Sequence, residues 1–200
     1  MTTIKKDNIR LEITQDENPQ NPRSLDYTDG NIVKMICFHT CYDLGDKHDY
    51  NFHDYNNWDE MEADIIRKEK PIVIEPLYLY DHSGITIATT PFSCKWDSGQ
   101  VGFAIITKEM IRKTFDVKNV WTKKWYDKAV EMLNGEVKTF DQYISGEVYL
   151  FELYEDDELT DSCCGFYGSD FWKNGMSDNI GNEIIEKLKK ELESEFGVCP

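Results

Sequence analysis

The sequence predicts an α+β fold, with a mixed or antiparallel sheet (a β-meander) packed against two to four helices in a single domain over residues 1–200. Runs of alternating apolar and polar residues follow one another with short turn-forming segments between them, which is typical of a meander. Helical periodicity occurs in separate blocks and does not alternate with the strands, which argues against a doubly wound parallel sheet. With 200 residues, 40% of them hydrophobic, the chain is long enough to bury a core.

The first third of the chain predicts two strands and a helix. Ile9, Leu11 and Ile13 alternate with polar residues and predict a strand, which the turn-rich loop over 16–31 follows. The segment Asn31–Thr40 predicts a second strand, and its two apolar faces favour a central position in the sheet. A helix is predicted from Trp58 to Arg67. Its apolar stripe consists of Trp58, Met61, Ile65 and Ile66.

A β-meander is predicted next, and it contains the stretch "YDHSGITIATTPFSCKWDSGQVGF". Its parts are a strand over 72–80, a hairpin turn over 81–84, a return strand over 85–90, a second turn over 95–100 and a strand over 101–107. Pro76 cannot donate to a ladder, so its strand is expected to have an edge or a bulge there.

Three helices and a hairpin complete the chain. Thr107 is a candidate N-cap for a helix over 108–115, and Thr122 for a longer helix that ends at Gly146. The alternation in "EVYLFELYE" predicts a strand, with "DSCCGFYG" as its hairpin partner. An amphipathic C-terminal helix is predicted over 178–196.

Net charge is the strongest compositional feature. The formal charge of −16 argues against direct binding to a phosphate backbone, which requires lysine and arginine. It is compatible with the opposite role, in which an acidic surface competes with nucleic acid for the basic groove of a protein. The chain has no run of 18 apolar residues and no apolar segment after its charged N-terminus, so we expect no membrane span or signal peptide and a cytoplasmic location in the host cell.

The acidic residues are concentrated in two segments. Between Thr40 and Ile66 there are eight acids and one basic residue, Lys47, and six of the ten residues from Glu152 to Asp161 are acidic. The candidate partner-binding residues are Asp43, Asp46, Asp49, Asp54, Asp59, Glu60, Glu152, Glu155, Asp156, Asp157, Glu158 and Asp161.

Histidine and aspartate suggest a catalytic alternative. All four histidines lie between residues 39 and 82, interleaved with aspartates, and both residue types bind divalent metals. A small metal-dependent hydrolase or nucleotide-processing enzyme could use His39, Asp46, His48, Asp81 and His82 as ligands, with His39, Asp81 and His82 as the catalytic set. No HExxH, HxH or DxDxD spacing is present, and "DHSG" fits a β-turn equally well, so no cofactor or metal is favoured.

Nucleophilic catalysis has weaker support. Ser83, Ser98 or Cys94 could pair with a histidine, yet Ser98-Gly99 lacks the GxSxG elbow. The six cysteines form no CxxC pair, and in a reducing compartment we expect them to be thiols.

Four segments carry a family resemblance. They are "NPR…MICFHTCYDLGD", "PLYLYDHSGITIATTPFSCKWDSGQVGFAIITKEMIRK", "FDQYISGEVYLFEL" and "DSCCGFYGSD". Together they resemble an uncharacterised family carried by phages, plasmids and integrated elements of Gram-positive bacteria, over roughly residues 21–175. Where that family has a histidine followed by two arginines and a tyrosine, this chain has His39-Thr40-Cys41-Tyr42, so no cation stands beside His39.

The resemblance implies the biological context of a mobile genetic element, and it does not indicate a particular reaction. Small acidic proteins of mobile elements often inhibit host defence, including restriction and CRISPR nucleases, and some act as DNA mimics. Combined with the charge, this predicts a non-enzymatic inhibitor whose partner is a host defence nuclease or another basic nucleic-acid-binding protein. A structural or regulatory binding module is a further alternative, and it predicts an exposed apolar patch.

Overall fold

The computed structural model describes residues 1–24, 30–117 and 122–198. It confirms the α+β class, with two antiparallel four-stranded sheets and accompanying helices. The strands are β1 (Thr2–Lys6), β2 (Ile9–Gln15), β3 (Lys34–Cys37), β4 (Pro71–Asp81), β5 (Ile85–Ala88), β6 (Ser98–Thr107), β7 (Val148–Glu155) and β8 (Glu158–Tyr167). The α-helices are α1 (Trp58–Glu69), α2 (Lys108–Phe115), α3 (Lys123–Ile144), α4 (Met176–Asn179) and α5 (Asn182–Phe196), and a 3₁₀ turn covers Phe52–Asp54.

Two compact units divide the chain. The first takes both ends, Met1–Gln20 and the chain from Gln142 onward, and the second runs from Asn21 to Asp141. The prediction of a single domain stays a prediction. Part of the predicted 16–31 loop, residues 25–29, lies outside the described residues, as does Cys199.

The first unit is built on the sheet ordered β1-β2-β7-β8. Buried residues of this sheet, among them Leu11 and Phe151, pack with Leu188 and Leu192 of α5 into one apolar core. The strand β1 was missed by the sequence analysis. The predicted C-terminal helix is wrong at its start, since α4 ends at Asn179 and α5 begins at Asn182, after Gly181.

The second unit is built on the sheet ordered β3-β6-β4-β5. The interior strands are β6 and β4, and β6 is buried continuously from Val101 to Thr107. The predicted central position of the strand over 31–40 is wrong, because β3 is shorter and lies at the edge beside β6. Pro76 is tolerated in β4 because β5 pairs only with Tyr78–Asp81.

The helices of the second unit match the expectations with one exception. The side chain of Thr107 caps α2, as predicted, and that of Asn57 caps α1, a cap that the sequence analysis did not name. Met61 and Ile65 are buried against Ile36, Phe103 and Ile105. Ile66 is 45% exposed, so its place in the predicted apolar stripe is wrong.

In the described part of the chain, no helix combines the length and the apolar character that a bilayer crossing requires. Cys37, Cys41, Cys94, Cys163 and Cys164 are free thiols.

Candidate functional site

The connection from β3 to α1 carries the candidate site. Residues 38–57 form no regular structure except the 3₁₀ turn at Phe52–Asp54. Connections longer than about 12–15 residues without secondary structure of their own are uncommon, and they often hold binding sites. This segment contains three of the four histidines and four of the candidate acids.

A buried ion network fixes the base of this connection. The guanidinium of Arg23 donates to both carboxylate oxygens of Asp46, over 2.9 and 2.5 Å, and to Glu136 of α3 over 2.6 Å. Asp46 also accepts a hydrogen bond from the backbone N–H of Met35 over 2.7 Å, which ties the connection to β3. Burial raises the pKa of Glu136 above its ordinary value. Asp46 is therefore a structural anchor, and its predicted place on an exposed acidic surface is not what the structure shows.

An aromatic pocket of about 830 Å³ opens beside this connection. We call it the aromatic pocket; its walls include Phe38, Tyr42, Asp43, Tyr50, Phe52, Trp58 and Gln100. This volume is in the range of small-ligand sites, roughly 300–1,000 Å³. Of the described residues that line it, none is lysine or arginine.

Three rings form the pocket's main apolar wall. The ring centroids of Phe52 and Trp58 are 4.9 Å apart, and Phe38 lies 5.8 Å from Phe52 and 6.2 Å from Trp58. Trp58 in turn meets the core residue Phe103 edge-on at 5.8 Å, so the wall rests on the sheet. Phe52 remains 40% exposed although it is a large apolar side chain. Exposed aromatic surface at the mouth of a pocket is available to a ligand or partner.

Tyr42 links the two sequence segments that suggested catalysis. Its ring stacks on His39, with centroids 4.8 Å apart, and its hydroxyl is hydrogen-bonded to Asp81. This hydrogen bond raises the pKa of Tyr42, because ionisation would place two negative charges together. Tyr42 is thus a neutral donor in the pocket wall, which the sequence analysis did not identify.

The five candidate metal ligands have separate partners. Asp46 is held by Arg23, and Asp81 by Tyr42. The Nε2–H of His48 donates to the carbonyl of Cys37 over 2.9 Å, and its buried Nδ1 has no hydrogen-bond partner among the described residues.

His39 and His82 complete this set. The Nδ1 of His39 accepts hydrogen bonds from the backbone N–H groups of Cys41 and Tyr42, and the Nδ1 of His82 lies 3.5 Å from Asp97. Among the described residues no three His, Cys, Asp or Glu side chains are placed to hold a metal ion. The arrangement that the hydrolase alternative requires is therefore absent from this part of the chain.

The candidate nucleophiles also have structural roles. Ser98 donates its hydroxyl to the carbonyl of Cys94, and the Cys94 thiol donates to Asp97, so these groups close the turn before β6. Burial raises the pKa of Cys37 to about 12, which keeps this pocket-lining thiol protonated at neutral pH. The turn in "YDHSG" is present, whereas the predicted turn over 95–100 is wrong at its end, because β6 begins at Ser98. The backbone N–H of Asp81 joins the two segments by donating to the carbonyl of Asp97 over 2.8 Å.

Exposed carboxylates occur in the chain segments that line the aromatic pocket. Asp43 lines it, and Asp49, Asp54 and Asp59 each neighbour a lining residue in the chain. All four are exposed, and within the described ranges none forms a salt bridge. We call Asp43, Asp49, Asp54, Asp59 and Glu60 the acidic loop surface.

A second acidic surface lies in the first unit, on the β7–β8 hairpin. Four consecutive acids, Glu155–Glu158, form its turn, and Asp161 is exposed on β8. We call these five residues the acidic hairpin. None of them has a salt-bridge partner in the described chain. Glu152 is different, because it is half-buried and accepts a hydrogen bond from Tyr154.

No protein-family model, curated protein or solved structure matches this chain. The resemblance to a family of mobile elements stays a prediction.

Proposed function

We propose that this protein is a phage-type inhibitor that occupies the nucleic-acid groove of a basic host defence nuclease, in the cytoplasm of the host cell. Its carboxylates take the place of phosphates, steer the encounter and block the substrate. It acts by binding and not by catalysis.

The observation that carries the proposal is the state of the carboxylates. Eleven of the twelve candidate partner-binding acids have no basic partner in the described chain; the exception is Asp46. Carboxylates that no salt bridge neutralises contribute to a negative field, and the net charge of −16 keeps the overall balance acidic. An acidic surface of this kind matches a groove that binds phosphates through lysine and arginine.

Competition with DNA tests the proposal. A purified restriction or CRISPR nuclease is mixed with a labelled DNA duplex and increasing amounts of this protein, at salt concentrations from about 50 to about 300 mM. We expect displacement of DNA, with an inhibitory concentration that rises with salt because screening weakens the attraction. Inhibition that does not depend on salt concentration would contradict mimicry. Binding to the nuclease that does not displace DNA would also contradict it.

Three variants with equal changes of charge locate the binding surface. The loop variant is D43N/D49N/D54N/D59N, the hairpin variant is E155Q/D156N/D157N/E158Q, and the control is E147Q/D178N/E193Q/E195Q, which neutralises acids outside both surfaces. We expect the loop or the hairpin variant to lose at least about tenfold in inhibition, as several rim charges at a fraction of a kcal/mol each would give. Equal losses in all three variants would show that only net charge matters.

A further inference from the structure

We infer that the aromatic pocket is the anchor site for one arginine side chain of the basic partner. This inference rests on the proposed function for the source of the arginine. The arginine contact would add a short-range, geometrically specific interaction to the long-range electrostatic attraction between the acidic surfaces and the basic partner.

The chemistry of the wall favours a cation. The faces of Phe52, Trp58 and Phe38 carry the negative side of an aromatic quadrupole, and a cation within about 6 Å of such a ring is attracted to it. Asp43 places an exposed carboxylate in the same wall. The described lining contains no lysine or arginine that would compete for these groups.

The same features disfavour a nucleotide. Proteins that stack bases on aromatic rings combine those rings with a positively charged groove for the phosphates. Here the described lining contains Asp43 and no lysine or arginine, so it offers no cation to a phosphate and places a repelling carboxylate in the wall.

Guanidinium suits the pocket better than ammonium does. It is flat, stacks on aromatic faces, is weakly hydrated and can donate two parallel hydrogen bonds to a carboxylate such as Asp43. Gln100 donates its amide to the carbonyl of Gly102 over 3.3 Å, and its own oxygen remains as an acceptor for a further donor. A guanidinium in the pocket could therefore stack on the aromatic rings and donate hydrogen bonds to the oxygen acceptors at the same time.

The probe is a blocked tripeptide, acetyl-Gly-Arg-Gly-amide, titrated into the full chain and followed by NMR chemical shifts. The neutral isostere with citrulline separates charge from shape, and the lysine tripeptide separates guanidinium from ammonium. We expect millimolar binding of the arginine peptide, about fivefold tighter than citrulline, the factor that a cation–π contribution of about 1 kcal/mol gives.

The matched variants are F52L and Y126L. F52L keeps an apolar side chain of similar size at the mouth but removes its π face, whereas Tyr126 is a 50% exposed aromatic residue on α3 that does not line the pocket. We expect F52L, and likewise D43N, to weaken arginine binding severalfold and Y126L to leave it unchanged. Thermal unfolding of each variant confirms that it is folded.

The outcomes separate this inference from the proposed function, since the peptide assay needs no nuclease. Equal binding of arginine and citrulline, or F52L binding like the parent chain, overturns the arginine pocket. A nuclease that is inhibited through the acidic surfaces but is insensitive to F52L also overturns it, and leaves the proposed function intact. Arginine binding without any inhibition of nucleases supports the pocket and counts against the proposed function.

Discussion

Arg23 donates two parallel hydrogen bonds to the carboxylate of Asp46, from Nε over 2.9 Å and from Nη2 over 2.5 Å. The Arg23 side chain is only 3% exposed, so this bidentate pair lies inside the second unit. Glu136 of α3 and the carbonyl of Val33 accept two further hydrogen bonds from the guanidinium, each over 2.6 Å. One side chain thereby holds the β3–α1 connection, which carries the aromatic pocket, against a strand and a helix.

Removal of this guanidinium should destabilise the protein strongly. Arg23→Met leaves Asp46 and Glu136 as largely buried carboxylates without a cation, and breaking a buried pair from one side typically costs about 3–5 kcal/mol. Urea unfolding at pH 7 measures the free energy of unfolding. The control is Arg67→Ala, which removes a 72% exposed partner of Asp64 and should cost less than about 1 kcal/mol. Similar losses in both variants would contradict the structural role of Arg23.

Gly102 is required by a close approach of two strands. A Cβ added there would overlap the carbonyl oxygen of Ile36 and lie 2.9 Å from the Cα of Cys37. Because these are backbone atoms of the paired strand β3, Gly102→Ala should cost about 3 kcal/mol or more, the upper part of the range for overpacking. Gly99→Ala in the same strand has nothing within 4 Å and serves as the control. Comparable melting temperatures for the two variants would show that the strands can separate without penalty.

The acidic hairpin carries a conformational cost at its turn. Asp156 and Asp157 have φ of 52° and 65°, as a two-residue type I′ turn requires, but glycine is favoured at the second position. Asp157→Gly should therefore raise the free energy of unfolding by about 0.5–1 kcal/mol, and it also removes one of four adjacent like charges. Asp161→Gly is the matched control, since it removes a carboxylate from extended backbone in β8 and should lower stability. Chemical denaturation compares them, and destabilisation by both changes would refute the turn argument.

The sequence correctly predicted elements that depend on interactions between residues close together in the chain. The helix α2 and its Thr107 cap, and the hairpin turn after β4, agree with the sequence because a cap or a turn is a matter of a few adjacent residues. The strand β1 was missed, and the break before α5 was missed because the apolar periodicity continues across Gly181.

Tertiary pairing could not be read from the chain. Arg23 stands in a turn-rich segment that is typical of a surface loop, and its partner Glu136 is 113 residues away. Because the pairing with Arg23 depends on the folded chain, the sequence did not distinguish Asp46 from the other candidate acids of its segment. Phe38 belonged to a predicted strand, Trp58 to a predicted helix and Phe52 to the segment between them, and only the folded chain brings their rings into one wall. Periodicity shows which face of an element is apolar, but not which distant faces meet.

Acidic pH should reveal the ion pairs of Asp64 on α1. Three side chains donate hydrogen bonds to this carboxylate: Lys68 over 2.7 Å, Tyr55 over 2.7 Å, and Arg67. Together they hold the pKa of Asp64 well below its ordinary value, and Lys68 has the largest effect. A carboxyl group whose pKa is lower in the folded chain contributes stability above its unfolded pKa, about 3.9, and loses that contribution as pH falls further toward the folded value. Urea unfolding between about pH 5 and pH 2.5 should therefore show a smaller loss of stability for Asp64→Asn than for the parent chain.

The control for the pH experiment is Glu62→Gln, which removes a carboxylate of the same helix that forms no salt bridge within the described ranges. Its stability should fall with acidity as steeply as that of the parent chain, because the pairs of Asp64 remain. Asp64→Asn should already be less stable at pH 5, where the parent chain has the full contribution of the ion pairs, and the two curves should converge as the pH drops. Curves that stay parallel down to about pH 2.5 would mean that Lys68 and Arg67 do not favour the charged form of Asp64 in the folded protein, contrary to the hydrogen bonds that the structure shows.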